Sequence, residues 1–339
     1  MRHLPWSVAT LSLLFSGCAC CTPCCPPCEA VRLPEPTPPT AVPEVPKAPR
    51  AYAFYDGKDG TPTSLDAFLA ASKDADLVAF GEMHGHPVGA DMELKMLRGM
   101  AAGTRPVALA MEFFERDVQV ALDAYLAGTS TEAEFLKVAR QGPAYPVTHR
   151  PLIEYAKEHH LAVIAANGPR RLVTDYRKSE KPYADYLAGL SAADRGFLPS
   201  ETSLATGPYL EKFTKLMGGD RGAKLIKAQS LWDDSMADAI ATHRASHPDA
   251  RVMLVVGGFH VSGHLGTITK FAMRRPNDRV VVLVMSQSEP PALAFDPDDK
   301  GEGDVILAVP PPPAPKPAPA VKAPTTDAPK PATPEAPKS

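Results

Sequence analysis

Polar side chains suited to chemistry recur in this sequence directly after short apolar runs. A carboxylate beside an imidazole can transfer a proton, hold a divalent metal or bind a polar ligand, and the residue types alone leave all three open. The candidates are Glu82 and His84, Glu112, Asn167 and His260, which follow apolar runs at 77–80, 107–111, 161–165 and 252–256. Four successive runs that end in this way indicate a shared site.

The apolar runs predict buried strands, and a fifth run lies at 280–284. Amphipathic patterns at 91–102, 117–127, 152–160 and 230–244 predict helices between them. Strands of this kind, alternating with helices, are typical of an α/β fold with a mostly parallel sheet covered by helices on both faces. The carboxyl ends of parallel strands meet at one edge, which brings the candidate residues to one crevice.

The interval 168–250 is longer than one crossover needs, and it predicts a helical insertion. Within it Trp232, Met236 and Ile240 are spaced by four residues, which predicts an apolar stripe that packs in the core. Gln229 and Asp233 share a flank of the same helix, and this flank either faces solvent or reaches the crevice. The sequence contains no HExxH, GxSxG, Walker A or GxGxxG motif, so it lacks the signatures of zincins, elbow-type serine hydrolases, P-loop enzymes and dinucleotide binders.

The two ends of the chain differ in composition from its middle. Residues 1–17 combine a basic start with a short apolar stretch, which is typical of a signal peptide. Residues 15–18 resemble the lipobox of bacterial lipoproteins, which predicts lipidation of Cys18 and a lipid-anchored protein that faces the periplasm, with the outer membrane preferred. The Cys- and Pro-rich segment 18–49 is then a tether, residues 50–309 form the folded domain, and the Pro-, Ala- and Lys-rich segment 310–339 is a disordered tail.

Charge and cysteine content exclude further classes of function. The chain of 339 residues has 36 Lys and Arg against 39 Asp and Glu, with a net charge of -3 and no basic block, so no nucleic-acid partner is expected. All six Cys lie near the start of the chain, so the domain contains neither a disulfide nor a cysteine metal site. The Cys cluster after Cys18 pairs in disulfides, binds a soft metal or carries free thiols, and the pattern leaves these open.

Several motifs together resemble the ChaN-like haem-binding lipoprotein family, over about residues 75–284. The motifs are Gly81-Glu82-x-His84, Ala110-Met111-Glu112-Phe113-Phe114, Arg150-Pro151-Leu152 with Tyr155-Ala156, Ile164-Ala165-Ala166-Asn167-x-Pro169-Arg170, Gln229-x-Leu231-Trp232-Asp233-x-x-Met236-Ala237 and Val256-Gly257-Gly258-x-His260. The resemblance implies a membrane-anchored protein that binds haem and is linked to iron acquisition. It also implies a fold shared with the erythromycin esterases and the Tiki metalloproteases.

The resemblance also directs attention to an axial ligand for the haem iron. Family members that bind haem use a Tyr side chain, and a stretch before the Arg-Pro-Leu motif often holds aromatic residues. Here that stretch contains Tyr145 and His149, with His149 standing where Tyr is expected. Both phenolate and imidazole bind haem iron, and Tyr209 in the insertion is a third candidate. Asn167, Arg170, Gln229 and Asp233 are the remaining cofactor-binding candidates.

Two functions from different classes follow. In the first, the chain binds haem, and the insertion supplies an apolar wall for the porphyrin from residues 204–217 and 225–240. In the second, it is a hydrolase in which His84 or His260 is the general base, with Glu82 and Glu112 orienting that base or holding a divalent metal. The sequence leaves open whether the protein is a monomer or a homodimer.

Overall fold

The computed structural model describes residues 51–312, which fold around one eight-stranded sheet in the order β2-β1-β8-β7-β3-β6-β4-β5. The strands are β1 Ala53–Asp56, β2 Pro62–Thr63, β3 Leu77–Glu82, β4 Val107–Glu115, β5 Ala162–Asn167, β6 Arg251–Gly257, β7 Val280–Gln287 and β8 Val305–Val309. The helices are α1 Leu65–Ala71, α2 Pro87–Ala101, α3 Gln119–Leu126, α4 Glu132–Ala139, α5 Arg150–Glu158, α6 Arg170–Lys178, α7 Tyr183–Ala188, α8 Ala192–Gly196, α9 Gly207–Met217, α10 Gly219–Ser246 and α11 Thr267–Arg274.

The sheet is mostly parallel, which confirms the predicted α/β class. Strand β3 pairs in parallel with β6 and β7, and β4 pairs in parallel with β5 and β6. The five predicted apolar runs form these five strands. Strand β8 continues the parallel part beside β7, whereas β1 pairs antiparallel with β8 and β2. The hydrophobic pattern did not single out β1, β2 and β8, because two are very short and β8 runs directly into the Pro-rich end.

Helices cover both faces of the sheet, so each face has its own apolar layer. On one face, β3 residues Val78 and Phe80 belong to a cluster with Met96 of α2 and Leu152 of α5. On the other face, alternate residues of the same strands pack against α10 and α11, where Met236, Ile240 and Phe271 are fully buried. This alternation follows from the two-residue period of a strand.

The predicted helical insertion lies between β5 and β6 and contains α6 to α10. Its long helix α10 carries the predicted apolar stripe, of which Met236 and Ile240 are buried in the core and Trp232 is partly exposed. No helix within residues 51–312 is both long enough and apolar enough to cross a bilayer.

The structure describes the chain to Pro312, which is past residue 310, where the disordered tail was predicted to start. The carbonyl of Pro310 accepts a hydrogen bond from Nε2 of His86 over 3.0 Å, and the structure continues to Pro312. The first residues of the predicted tail therefore belong to the folded part. The predicted signal peptide, the lipidation site Cys18, the tether and residues 313–339 lie outside the described residues.

Candidate functional site

The carboxyl edge of the sheet brings together four of the five residues predicted from the strand ends, namely Glu82, His84, Glu112 and His260. Strands β3 and β6 are in register, so that Glu82 lies opposite Gly257. His84 Nδ1 lies 2.8 Å from Glu82 Oε1, and His260 Nε2 lies 3.6 Å from Glu112 Oε1. Glu112 Oε2 accepts a hydrogen bond of 2.6 Å from the backbone N–H of Gly257, which ties β4 to the end of β6.

Gly257 makes this close approach possible. A Cβ atom at this position would lie 2.8 Å from Cε1 of His84 and 3.4 Å from Oε2 of Glu112. Carbon atoms do not approach to 2.8 Å without repulsion, so any side chain here would push His84 outward. The absence of a side chain at Gly257 therefore leaves room for the His84 ring between two strands.

Glu82 is the buried anchor of one half of the site. Its side chain is only 4% exposed, and Oε2 lies 3.3 Å from Nε2 of His149, the residue preceding α5. Burial by itself raises the pKa of Glu82, but the hydrogen bonds from His149 and His84 outweigh burial and lower this pKa to about 2. Glu82 is therefore ionised at neutral pH.

His84 differs from Glu82 in its exposure. Its side chain is 62% exposed, so its ring projects into the crevice as the sequence suggested. The hydrogen bond to Glu82 raises the pKa of His84, against the opposing effect of burial, and the charge of Glu112 raises it further. The imidazole is therefore biased towards its protonated form.

His260 is the centre of the other half, and it is buried rather than open to the crevice. Its Nδ1 lies 2.7 Å from Oδ1 of Asp233 on α10. Burial lowers the pKa of His260, but the charges of Asp233 and Glu112 and the hydrogen bond to Asp233 outweigh burial and raise this pKa to about 9. His260 is consequently an imidazolium held between two carboxylates.

The insertion completes this buried network through α9 and α10. The hydroxyl of Tyr209 donates a hydrogen bond to Oδ2 of Asp233 over 2.6 Å. The side-chain amide of Gln229 donates to the Tyr209 hydroxyl over 3.0 Å. The same amide nitrogen lies 3.1 Å from Nδ1 of His260. The flank of α10 that carries Gln229 and Asp233 thus reaches the site. Because the hydroxyl of Tyr209 is already paired with Asp233, Tyr209 is poorly placed as an iron ligand.

Tyr145 and His149 lie close to the strand edge, on the loop that leads into α5. The ring of His149 stacks on Phe113 with ring centres 3.8 Å apart, and Phe113 also meets His84 edge-on at 5.4 Å. Tyr145 is buried, and among residues 51–312 its hydroxyl has no hydrogen-bond partner. Burial raises the pKa of Tyr145 far above its ordinary value, so the free side chain is a neutral phenol.

Two cavities open on either side of Glu82 and His84. The larger, of about 780 Å³, is lined by Tyr145, His149 and Asn167 and by the arginines 140, 170 and 171. The smaller, of about 460 Å³, is lined by Phe213, Leu216 and Met217 of α9 together with His260. The apolar wall expected from the insertion therefore borders the smaller cavity and not the one that contains Tyr145.

Asn167 and Arg170 occupy the predicted side of the larger cavity. The side-chain oxygen of Asn167 is buried and has no partner in the described part of the chain. Arg170 is exposed at the start of α6, and its guanidinium lies 5.7 Å from the ring centre of Trp232. Neither residue contacts the His260 network, so the predicted cofactor-binding residues fall into two groups.

Two residues of the site were missed from the sequence. Phe113 contacts both His84 and His149, and Glu93 of α2 places its carboxylate beside Glu82 and His149. The signal for Glu93 was present, because it lies on the same face of α2 as the fully buried residues Met96, Leu97 and Met100. A charged residue within a buried apolar stripe indicates either a buried pair or a ligand.

The sequence matches the family model described as haem-binding uptake, Tiki superfamily, ChaN, over residues 68–271. No curated protein is similar to the chain at a significant level. Among solved structures, ChaN of Campylobacter jejuni, described as binding haem cofacially, has a TM-score of 0.54 and 15% identity, with 76% of this chain and 96% of that chain covered. At this identity the likeness establishes a shared fold.

Two further structures are similar at lower scores. The type III effector HopBA1 has a TM-score of 0.43 and 12% identity, with 71% of this chain and 91% of that chain covered. An erythromycin esterase mutant, EreC in its open conformation, has a TM-score of 0.38 and 11% identity, with 69% of this chain and 77% of that chain covered.

Proposed function

The chain belongs to the haem-binding uptake family of the Tiki superfamily that includes ChaN, and on this basis we propose that it is a haem-binding protein of the bacterial envelope. In this proposal it serves iron or haem acquisition and is anchored by a lipid on Cys18. The family membership supports haem as the ligand. The lipobox-like sequence at 15–18 supports the anchor.

The observation that carries the proposal is the hydroxyl of Tyr145, which lies at the wall of the larger cavity and has no hydrogen-bond partner within residues 51–312. A buried hydroxyl without a hydrogen bond is costly, so a structure retains one mainly where another partner can satisfy it. The cavity of about 780 Å³ lies within the usual range for cofactor sites. Tyr145 would hold the haem iron through its oxygen, and the bound iron would supply the redox-active, ligand-binding centre.

One arginine at the cavity, Arg170, also fits haem. Haem carries two propionate carboxylates, and arginine binds carboxylates through paired N–H donors. Arg140 and Arg171 pair with acidic neighbours, including Asp117, which lines the same cavity. Among the described residues Arg170 forms no ion pair within 4.0 Å, and it stands at the rim of the cavity. Arg170 is accordingly the cation best placed to receive a propionate.

The hydrolase interpretation is less well supported by the site. A general base must be unprotonated at working pH, which favours a pKa near neutrality. The pKa of His260 is raised to about 9 by its carboxylate neighbours, and the pKa of His84 is raised by Glu82. His260 is therefore a poor base in this arrangement. His84 still lies beside Glu82, and His260 beside Glu112, as that hypothesis required.

Haemin titration of a matched pair of variants tests the proposed ligand. We expect the wild-type protein to show a shifted Soret band that saturates at a defined stoichiometry, and Tyr145→Phe to lose this band without a change in thermal midpoint. The Phe variant keeps the ring packed against Phe114 and removes only the oxygen that has no partner. Tyr209→Phe is the control, and it should bind haemin like the wild type. An unchanged Soret band in Tyr145→Phe would refute Tyr145 as the ligand.

Membrane fractionation tests the proposed anchor. We expect Cys18→Ala to release the protein from membranes, because each buried acyl methylene contributes about 0.8 kcal/mol and a lipid on Cys18 is the only anchor that the sequence suggests. The measurement is the fraction that sediments with membranes after a high-salt wash. Continued sedimentation of the variant would count against lipidation at Cys18.

A further inference from the structure

A buried carboxylate of α2 lies beside the site but has no role in the proposed binding of haem. Glu93 is 1% exposed, and neither of its carboxylate oxygens has a hydrogen-bond partner in the described part of the chain. It lies in the second turn of α2, beneath the end of β3. A buried carboxylate without any partner is among the most costly arrangements in a protein interior, so Glu93 requires an explanation.

Glu93 does not stand alone, because ligand atoms from two other elements converge on it. One oxygen each from Glu82 and Glu93 and one ring nitrogen of His149 all lie within 4.8 Å of one another, and all three residues are buried. These side chains come from the end of β3, from α2 and from the residue before α5. Atoms held this close by three separate elements can all reach one ion.

From this arrangement we propose that Glu82, Glu93 and His149 bind a first-row divalent metal ion such as Mn²⁺. Two carboxylates and one imidazole form the mixed oxygen and nitrogen donor set that such ions prefer. A doubly charged cation would balance the two carboxylates and give Glu93 the partner that residues 51–312 do not supply. The remaining coordination positions would face the larger cavity, which Glu82 and His149 also line.

The surroundings of the three residues are those of an oriented metal site. The ring of His149 is held by stacking on Phe113, and the second oxygen of Glu82 is held by His84 over 2.8 Å. Contacts to the residues around a metal site fix the orientation of the ligand side chains, and their loss weakens metal binding. The site is separate from the His260 network, whose carboxylates are Glu112 and Asp233.

The competing explanation is that Glu93 is a neutral acid. Burial and then the negative charge of Glu82 raise the pKa of Glu93 well above its ordinary value. A protonated Glu93 would donate a hydrogen bond to the nearby Glu82 and would need no metal. An ionised Glu93 cannot do so, because both groups are then acceptors only. This explanation predicts that Mn²⁺ has no specific effect on the protein and that Glu93→Gln is well tolerated under all conditions.

Equilibrium binding of Mn²⁺ to the full chain distinguishes the two explanations, with electron paramagnetic resonance reporting the free ion. Mn²⁺ is the suitable probe because thiolates bind it weakly, so the N-terminal Cys cluster does not compete. We expect one Mn²⁺ per chain and an affinity at least about 100-fold weaker in Glu93→Gln and in His149→Phe, since loss of an outer contact alone costs 10–100-fold. The Phe variant keeps an aromatic ring to stack on Phe113.

Matched controls locate the ion and separate this proposal from haem binding. Glu112→Gln and Asp91→Asn, the latter at an exposed position of α2, should bind Mn²⁺ like the wild type. Glu93→Gln should still give the haemin Soret band of the wild type, so that failure of one proposal is visible independently of the other. Binding weaker than about 1 mM in the wild type, or binding lost in Glu112→Gln and kept in Glu93→Gln, would overturn the assignment.

Discussion

Raising the pH from about 6 to about 9.5 should remove a definite part of the free energy of unfolding, because it neutralises the buried imidazolium of His260. The folded-state pKa of His260 is about 9, against an ordinary value of 6.5. Since the folded state holds the proton more tightly, this group stabilises the protein fully below pH 6.5. The contribution falls as the pH rises and is lost above the folded-state pKa.

The size of the effect follows from the difference between the two pKa values. One pKa unit corresponds to about 1.4 kcal/mol, so the shift of His260 is equivalent to about 3 kcal/mol. For a domain of this size each kcal/mol moves the thermal midpoint by roughly 2–4 °C. The loss should therefore appear as a clear fall in midpoint over this pH window.

Thermal or urea denaturation of the wild type and His260→Gln at both pH values isolates this contribution. The variant should be less stable than the wild type at pH 6 and should lose about 3 kcal/mol less on going to pH 9.5. His264→Asn is the control, because it removes a part-exposed histidine four residues along the chain and should keep the wild-type pH dependence. Identical pH dependence in His260→Gln and the wild type would refute the ion-pair reasoning.

Two further substitutions test steric and electrostatic parts of the structure. Gly257→Ala should push the exposed ring of His84 outward, lower the free energy of unfolding by about 1 kcal/mol and shift the His84 imidazole resonances in NMR. Gly142→Ala, at a position with open space around it, should change nothing. An unmoved His84 would contradict the close approach. Arg244→Met should lower the free energy of unfolding by about 3 kcal/mol in denaturant titrations, because Arg244 is buried and pairs with Asp76 and Asp278. If the variant were as stable as the wild type, these ion pairs would make no net contribution to stability.

The strand edge was predictable from the sequence because parallel strands obey a simple rule. Glu82, His84, Glu112 and His260 each follow an apolar run, and the structure brings all four to one edge. The sequence could not show which residues of neighbouring strands stand opposite one another. The register of β3 and β6 shows this for Glu82 and Gly257. Helix periodicity placed Gln229 and Asp233 on one flank of α10 but left open whether this flank faces solvent, and the structure brings Asp233 to His260.

The division of the site into two networks depends on packing between distant segments. Tyr209 looked like a possible iron ligand, but α9 lies against α10 so that its hydroxyl donates to Asp233. Tyr145 lies in a loop with no periodic pattern, so only the fold shows that its hydroxyl has no partner in the part of the chain that the structure describes. Glu93 was missed although it is a charge in an apolar stripe, and its relation to Glu82 depends on the packing of α2 on the sheet.

The contact between Glu112 and Gly257 also bears on how the protein folds. These residues are 145 positions apart in the chain, and the insertion lies between them. Closing so long a loop is slow, because its entropy must be lost before the strands gain their contacts. The polar edge therefore forms only when the central strands have all assembled. Ligand binding would therefore report completion of the sheet, and a ligand that binds only the folded state would raise the free energy of unfolding.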